Sequence, residues 1–293
     1  LCAFAAKEYS LAFSVIVKVK GNVASINIYD ADGLFPTSKE ERAIEAALAR
    51  PTPTTVSAGE TVVLEHDDRV KYRYALALTE TVPSLKGVRF NVKEKNAASE
   101  FLYAVAEKLG AQVEYGNSDT ENAFFVSEDG LYAEATLKDG TDCSFWSLVC
   151  IGAMLGGEVA LPTKAPRFVE EAVQRGGGKA VFYGEADSRE RDAVYRCFWS
   201  YDGNALSLRA LYAAQKTGKQ LYELAAQTPK QIVESKTVRC NEDAKARTIN
   251  RLYEKGSAAR GGEGVVLSYS AGSVVVVPLS SGGFRLFAEA VST

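Results

Sequence analysis

Twice along this 293-residue chain, an apolar strand pattern is followed by a helical stretch, a glycine and a second short strand. The first instance takes Gly87–Val92 as strand, Ala97–Leu109 as helix, Gly110 as the residue that ends it, and Gln112–Tyr115 as the return strand. The second takes Glu158–Leu161, then Pro166–Gln174, then Gly176-Gly177-Gly178, then Lys179–Tyr183. A strand can return parallel to its predecessor only through a crossover of about a dozen residues or more, and the crossover helix buries its apolar stripe on the sheet. Two such units commit the chain to the α/β class, with parallel pairing covered by helices.

The rest of the chain divides around these units. Ala12–Val19 and Val23–Tyr29 flank the turn dipeptide Gly21-Asn22, so the opening part reads as a strand-rich piece beginning with a hairpin. Asp30-Ala31-Asp32-Gly33 turns the chain again, and Thr37 to Glu41 cap a helix over Glu40–Ala49 that Pro51 and Pro53 stop. Thr52–Asp68 is a connector, and Arg69–Thr81 is a helix leading into the first βαβ unit. Ala123–Val126 and Leu131–Thr136 pair across Ser127–Gly130; Asp142 or Ser144 then caps an apolar helix, Phe145–Leu155. Ala205–Gln215 and Gln220–Gln227 form a helix pair.

The final section changes character. Strand Lys236–Cys240, helix Glu242–Lys255, and strands Val265–Tyr269, Val274–Val277 and Phe284–Ala288 predict a C-terminal α+β domain with a mostly antiparallel sheet. A chain this long exceeds the roughly 100–200 residues of one domain, and the predicted boundaries give units at 1–68, 69–156, 157–234 and 235–293.

Composition narrows the function classes. The chain is 46% hydrophobic and 24% charged, which suits a folded core, and its net charge of −3 is spread without a basic stripe, which argues against nucleic acid as a partner. No apolar run approaches the roughly 18 residues of a membrane span, and Leu1–Tyr9 lacks the layout of a signal peptide, so a cytoplasmic, membrane-free protein is expected. The five cysteines form no CxxC pair and the single histidine, His66, has no cysteine or serine partner close in sequence, so reduced, mostly buried thiols are expected rather than a disulfide framework, a zinc site or a triad.

The last strands carry a family likeness. Gly264-Val265-Val266-Leu267, then Val274-Val275-Val276-Val277-Pro278, then Phe284-Arg285-Leu286-Phe287-Ala288-Glu289-Ala290 resembles the C-terminal domain of the α-D-phosphohexomutases. In those phosphomannomutases and phosphoglucomutases the stretch runs Asp-Gly-Val, Val-Arg-Pro-Ser-Gly-Thr-Glu-Pro and Arg-Val-Tyr-Ala-Glu-Ala. Leu85–Val113 is similar to the strand and helix opening the family's second domain, and Glu158–Lys179 with Tyr201-Asp202-Gly203-Asn204-Ala205-Leu206 is similar to its third. Leu11–Arg50 resembles the end of its first domain. The resemblance therefore implies mutase-like domains with mixed sheets followed by the α+β domain, and a hexose phosphate as ligand.

The departures fall on the family's chemical loops. The phosphoserine motif Thr-Ala-Ser-His-Asn-Pro has no counterpart near Ser10, Ser14 or Ser25, so no catalytic residue is assigned. The Mg²⁺ loop, Asp-x-Asp-x-Asp-Arg in the family, falls on Asn117, Asp119 and Glu121, which implies a weakened metal site or else an Asx-rich turn between strands. Where the family recognises sugar hydroxyls with Gly-Glu-x-Ser-Gly-His, this chain has Tyr195-Arg196-Cys197-Phe198-Trp199-Ser200, so Trp199 and Tyr201 are either stacking groups or core. The phosphate loop falls on Ser280, Ser281, Gly282 and Gly283 with Arg285 beyond it, an anion cradle or a plain hairpin turn.

Phosphoryl transfer by a mutase needs a hydroxyl carrier and a metal to neutralise the moving group. The resemblance thus implies a catalytically impaired module that binds sugar phosphate, or that regulates or assembles a sugar nucleotidyltransferase. Such trimmed modules are similar to those fused behind bacterial mannose-1-phosphate guanylyltransferases. Two alternatives are an active phosphomannomutase or phosphoglucomutase and a purely structural self-associating domain.

Overall fold

The computed structural model describes residues 1–31, 33–34, 36, 38–48, 68–117, 120–162, 165–183, 194–229, 231–258, 264–279 and 282–291. Almost all of the connector at Thr52–Asp68, with His66, together with Asp119, Ser280 and Ser281, lies outside these residues.

The hairpin forms as expected: β1 (Phe13–Lys20) pairs antiparallel with β2 (Val23–Asp30) around Gly21 at φ +60°. Ahead of it stands a helix the strand-rich reading missed, α1 (Cys2–Glu8). Seven residues are too few for a helix to persist by propensity alone. Packing holds this one, because Phe4 meets the rings of Tyr74, Tyr195 and Phe198 at 5.1, 6.1 and 5.6 Å. The helix α2 (Ser38–Leu48) follows, and α3 (Asp68–Glu80) leads into the first βαβ unit.

That unit is β3 (Arg89–Val92), α4 (Ser99–Lys108) and β4 (Gln112–Tyr115), with β3 and β4 parallel. Gly110 turns the chain at φ +93°, where a Cβ would press on the Lys86 backbone at 3.3 Å. β5 (Ala123–Val126) joins the other side of β3 in parallel, and β6 (Ala133–Thr136) and β7 (Asp142–Cys143) extend the sheet antiparallel, giving the mixed order β4-β3-β5-β6-β7. Next come α5 (Phe145–Ala153), then β8 (Glu158–Pro162), α6 (Arg167–Arg175) and β9 (Lys179–Tyr183), whose strands pair in parallel. Ser144, one of the two expected caps, accepts the Ser147 N–H and starts α5. A single 3₁₀ turn at Phe198–Ser200 precedes α7 (Gly203–Thr217) and the short α8 (Leu221–Ala225).

One apolar core joins these pieces: Phe90, Phe124, Leu102, Leu148, Ile151, Leu161 and Leu206 are all fully buried in it. Within that core α7 packs on both α4 and α5. All five cysteines are free, and Cys143, Cys150 and Cys197 are buried, which pushes the first two thiols up to about 12.

The C-terminal unit is an antiparallel sheet of order β10-β14-β13-β12-β11, built from β10 (Gln231–Val238), β11 (Ser257–Ala258), β12 (Val265–Tyr269), β13 (Gly272–Pro278) and β14 (Phe284–Val291). Strand β10 begins five residues before the predicted Lys236, because its register runs back along the whole of β14 to pair Gln231 with Val291. Helix α9 (Glu242–Tyr253) lies against β12.

Arg209 of α7 closes the end of α5, its Nε and Nη2 donating to the Gly152 and Gly156 carbonyls at 3.0 and 2.8 Å, while its guanidinium covers the Trp199 ring at 4.2 Å. Trp199 is therefore core, pinned between Arg209 and Gly152, where an added Cβ would stand 2.7 Å from the indole. Gly→Ala inside a helix ordinarily stabilises by about 1 kcal/mol. Here the overpacking is expected to prevail, so Gly152→Ala should lower stability by about 1–3 kcal/mol, read as a reduced urea midpoint at unchanged slope.

Candidate functional site

Two contiguous cavities, of about 590 and 660 Å³, share Trp146, Pro162 and Val233 and form one cleft between the β8–α6 unit and the C-terminal sheet. Each falls in the size range of small-molecule sites. The sheet contributes the face opposite to the row of Val265, Val276 and Leu286. In register across it stand Ser235, Phe287, Val275 and Val266, with Val233, Glu289 and Ser273 in the next row.

Side chains alternate along a strand, so Arg285 shares this face with Phe287 and Glu289. The three form a line down β14: a cation, a ring and a carboxylate. Arg285 is exposed and its guanidinium lies over the Phe287 ring, 5.3 Å from the centroid. It adjoins the hairpin connecting β13 to β14, whose base is tied by the Leu279 N–H donating to the Gly283 carbonyl at 3.0 Å. Gly282 and Gly283 have φ of +81° and +121°, and a Cβ on Gly283 would collide with the Val238 carbonyl, so the hairpin demands glycine at both places. Lys245 of α9 donates to the Leu279 carbonyl at 2.6 Å and pairs with Glu242 at 3.1 Å, bracing the hairpin from behind.

The opposite wall is aromatic. Tyr132 and Phe145 stack at 5.5 Å with an interplanar angle of 16°, and Trp146 meets Phe145 edge-on at 5.0 Å. Tyr132 donates to Glu134 at 2.9 Å, and burial together with that bond pushes its phenol up to about 12. It therefore stays protonated near neutrality and serves as a surface rather than a base. Tyr201 also lines the cleft, unlike Trp199.

The stretch expected to hold a metal lies in sequence between β4 and β5, the two strands that flank β3. Asn117 is exposed there and Glu121 partly buried. Asn122 secures the turn by accepting the Asn91 N–H with its carbonyl at 2.8 Å and the Lys138 N–H with Oδ1 at 3.1 Å. Among the described residues no three His, Cys, Asp or Glu side chains gather as metal ligands. Neither this turn nor Gly282, Gly283 and Arg285 are among the described residues lining the two cavities; Arg285 is linked to the cleft through Phe287, the ring its guanidinium covers.

At the start of α7 lies a polar network that sequence reasoning did not find. Asp202 caps α7, its Oδ1 accepting the Ala205 N–H at 2.9 Å, while Oδ2 accepts the Tyr74 hydroxyl at 2.8 Å. Asn204 donates to Tyr74 Oη at 3.0 Å and to the Ala98 carbonyl at 2.9 Å. The acidic cap before an apolar helix was a readable signal. Its partner, 128 residues earlier in the chain, was not.

The class of fold defined here is that of the sugar-phosphate mutases. A candidate phosphomannomutase of Thermus thermophilus matches 99% of this chain and 77% of its own at 15% identity, with a TM-score of 0.65. A phosphoglucomutase/phosphomannomutase family protein of Burkholderia thailandensis matches 96% and 72% at 13% identity, TM-score 0.64. Parafusin, the phosphoglucomutase of Paramecium, matches in its open form over 99% and 76% at 11% identity, TM-score 0.56. The sequence matches no family model and no curated protein. The chain thus has the phosphomannomutase and phosphoglucomutase architecture, mixed α/β with an antiparallel C-terminal sheet. None of its described helices is long and apolar enough to cross a membrane.

Burial is the largest influence on Asp202 and raises its carboxyl above the ordinary 3.8, with the Ala205 N–H pulling the other way. A carboxyl raised by folding binds protons more readily in the native state, so its contribution to stability is present at low pH and lost as pH climbs through the raised value. Asp202→Asn keeps a capping acceptor and removes that titration. Its stability relative to the native chain is expected to improve as pH rises above the ordinary 3.8 in urea unfolding; a constant or worsening difference refutes this assignment.

Proposed function

We propose that the chain binds a hexose phosphate in this cleft, as a phosphohexomutase-like module impaired in catalysis. The phosphate would lie against the hairpin of Ser280, Ser281, Gly282 and Gly283 and against Arg285, and the sugar against Phe287 and Trp146, which line the same cavity. The observation that carries the reading is the placement of Arg285: a guanidinium beside a glycine hairpin, on the strand face that forms one side of a ligand-sized cleft. Guanidinium and backbone N–H groups suit a phosphate, and flat aromatic surface suits the apolar face of a hexose.

The proposed impairment rests on two sequence features. Within these 293 residues no Thr-Ala-Ser-His-Asn-Pro carrier occurs, and one of the three metal-loop carboxylates is the amide of Asn117. Asn117, Asp119 and Glu121 would hold Mg²⁺ through hard oxygen ligands, a set with less charge than three carboxylates. Bound there, Mg²⁺ would neutralise phosphoryl oxygens. The four units at 1–68, 69–156, 157–234 and 235–293, a cytoplasmic setting, and a regulatory or assembly role beside a sugar nucleotidyltransferase belong to the same proposal.

Titration with glucose 6-phosphate and mannose 1-phosphate, against glucose and inorganic phosphate as controls, tests it. At least one sugar phosphate is expected to raise the melting temperature saturably, since a ligand of the native state must do so by mass action. Arg285→Ala should weaken that ligand about ten- to a hundredfold. A coupled isomerisation assay with Mg²⁺ and a hexose bisphosphate is expected to give no product above background. No melting shift with either sugar phosphate would sink the binding reading, and turnover would replace impairment with an active mutase.

A further inference from the structure

Helix α6 begins without a cap of its own. Its N-cap residue is Pro166, which has no side-chain acceptor to offer the free N–H groups of the first turn. The acceptor comes from 122 residues away: Glu289 Oε2 takes the Arg167 backbone N–H at 2.7 Å. The other oxygen of the same carboxylate accepts the Ser273 hydroxyl at 2.7 Å. Ser273 stands directly opposite Glu289 in the β13–β14 register and is 7% exposed, so the sheet itself aims the carboxylate. The Arg167 side chain does not compete, since its Nε pairs with Glu171 at 3.0 Å.

We propose that Glu289 is an interdomain clasp: it caps α6 from across the cleft, so that the C-terminal sheet and the β8–α6 unit part only by uncapping that helix. Three features make it a clasp rather than a surface contact. It bridges the cleft, both sides of which supply lining residues there, Pro166 and Arg167 on one and Ser273 and Glu289 on the other. Its acceptor is an anion at the positive end of a helix dipole. It also replaces a local cap, so opening costs the helix as well as the contact. The clasp holds whatever ligand the cleft takes.

The test uses the full chain without ligand. Glu289→Ala is expected to speed amide hydrogen exchange across the first turn of α6 about five- to tenfold and to widen the small-angle scattering distance distribution. Glu289→Asp, one methylene shorter, should do the same. Adding Pro166→Asp to Glu289→Ala gives α6 a local cap, because Pro166 already has the extended backbone of an N-cap at φ −57° and ψ 138°. That double variant should recover slow exchange in α6 while staying open in scattering. The clasp is overturned if Glu289→Ala leaves exchange and scattering unchanged, or if the local cap alone restores the closed distribution. Circular dichroism of each variant separates opening from loss of fold, and Ser273→Ala supplies a milder second disturbance expected to move both readouts in the same direction.

Discussion

Strand β8 is the constraint on which the rest of the molecule depends. Val159 and Leu161 point into the main core, while Ala160 points to a second cluster with Leu34, Val181, Val194 and Cys197, and these three central residues of the strand are fully buried. A strand covered on both faces cannot slip by one residue without exchanging its two cores. The Ser200 hydroxyl donates to the Ala160 carbonyl at 2.6 Å and ties the strand to the turn before α7. The far end of β8 therefore arrives at a fixed place, and Pro162, the wall of the cleft and the start of α6 follow from it.

The elements legible in the sequence are those whose signals are local. Gln112–Tyr115, Ala123–Val126 and Lys179–Tyr183 have the bounds that periodicity and glycine punctuation gave them. Two misreadings have a common cause. Helix α1 exists because Phe4 enters an aromatic cluster drawn from distant segments, and β10 starts early because β14 offers it a partner. In both, tertiary contacts outweigh a weak local preference, and neither contact can be read from neighbouring residues.

The site divides in the same way. Arg285 and the glycine pair were visible as residue types suited to an anion, and the positive φ angles of Gly282 and Gly283 account for the glycines. Tyr132 and Phe145 were not visible as a wall, because the stacked pair joins a β-hairpin to the first turn of a helix. Trp199 and Tyr201 looked equivalent in sequence. The structure separates them, with Trp199 sealed beneath Arg209 and Tyr201 turned to the cleft.

The line along β14 also determines how a ligand and the clasp can coexist. Successive residues on one face of a strand are about 7 Å apart, so Arg285 and Glu289 stand about 14 Å apart with Phe287 between them. A hexose with one phosphate is shorter than that span. A ligand anchored at Arg285 would cover Phe287 and stop short of Glu289, so it would not displace the carboxylate from α6. The two charges also keep an anion oriented, since a phosphate at the Glu289 end would meet a like charge that already occupies the helix terminus. One strand, rigid because it is paired on both sides, thus separates the place proposed for a phosphate from the place where the two halves of the cleft are joined.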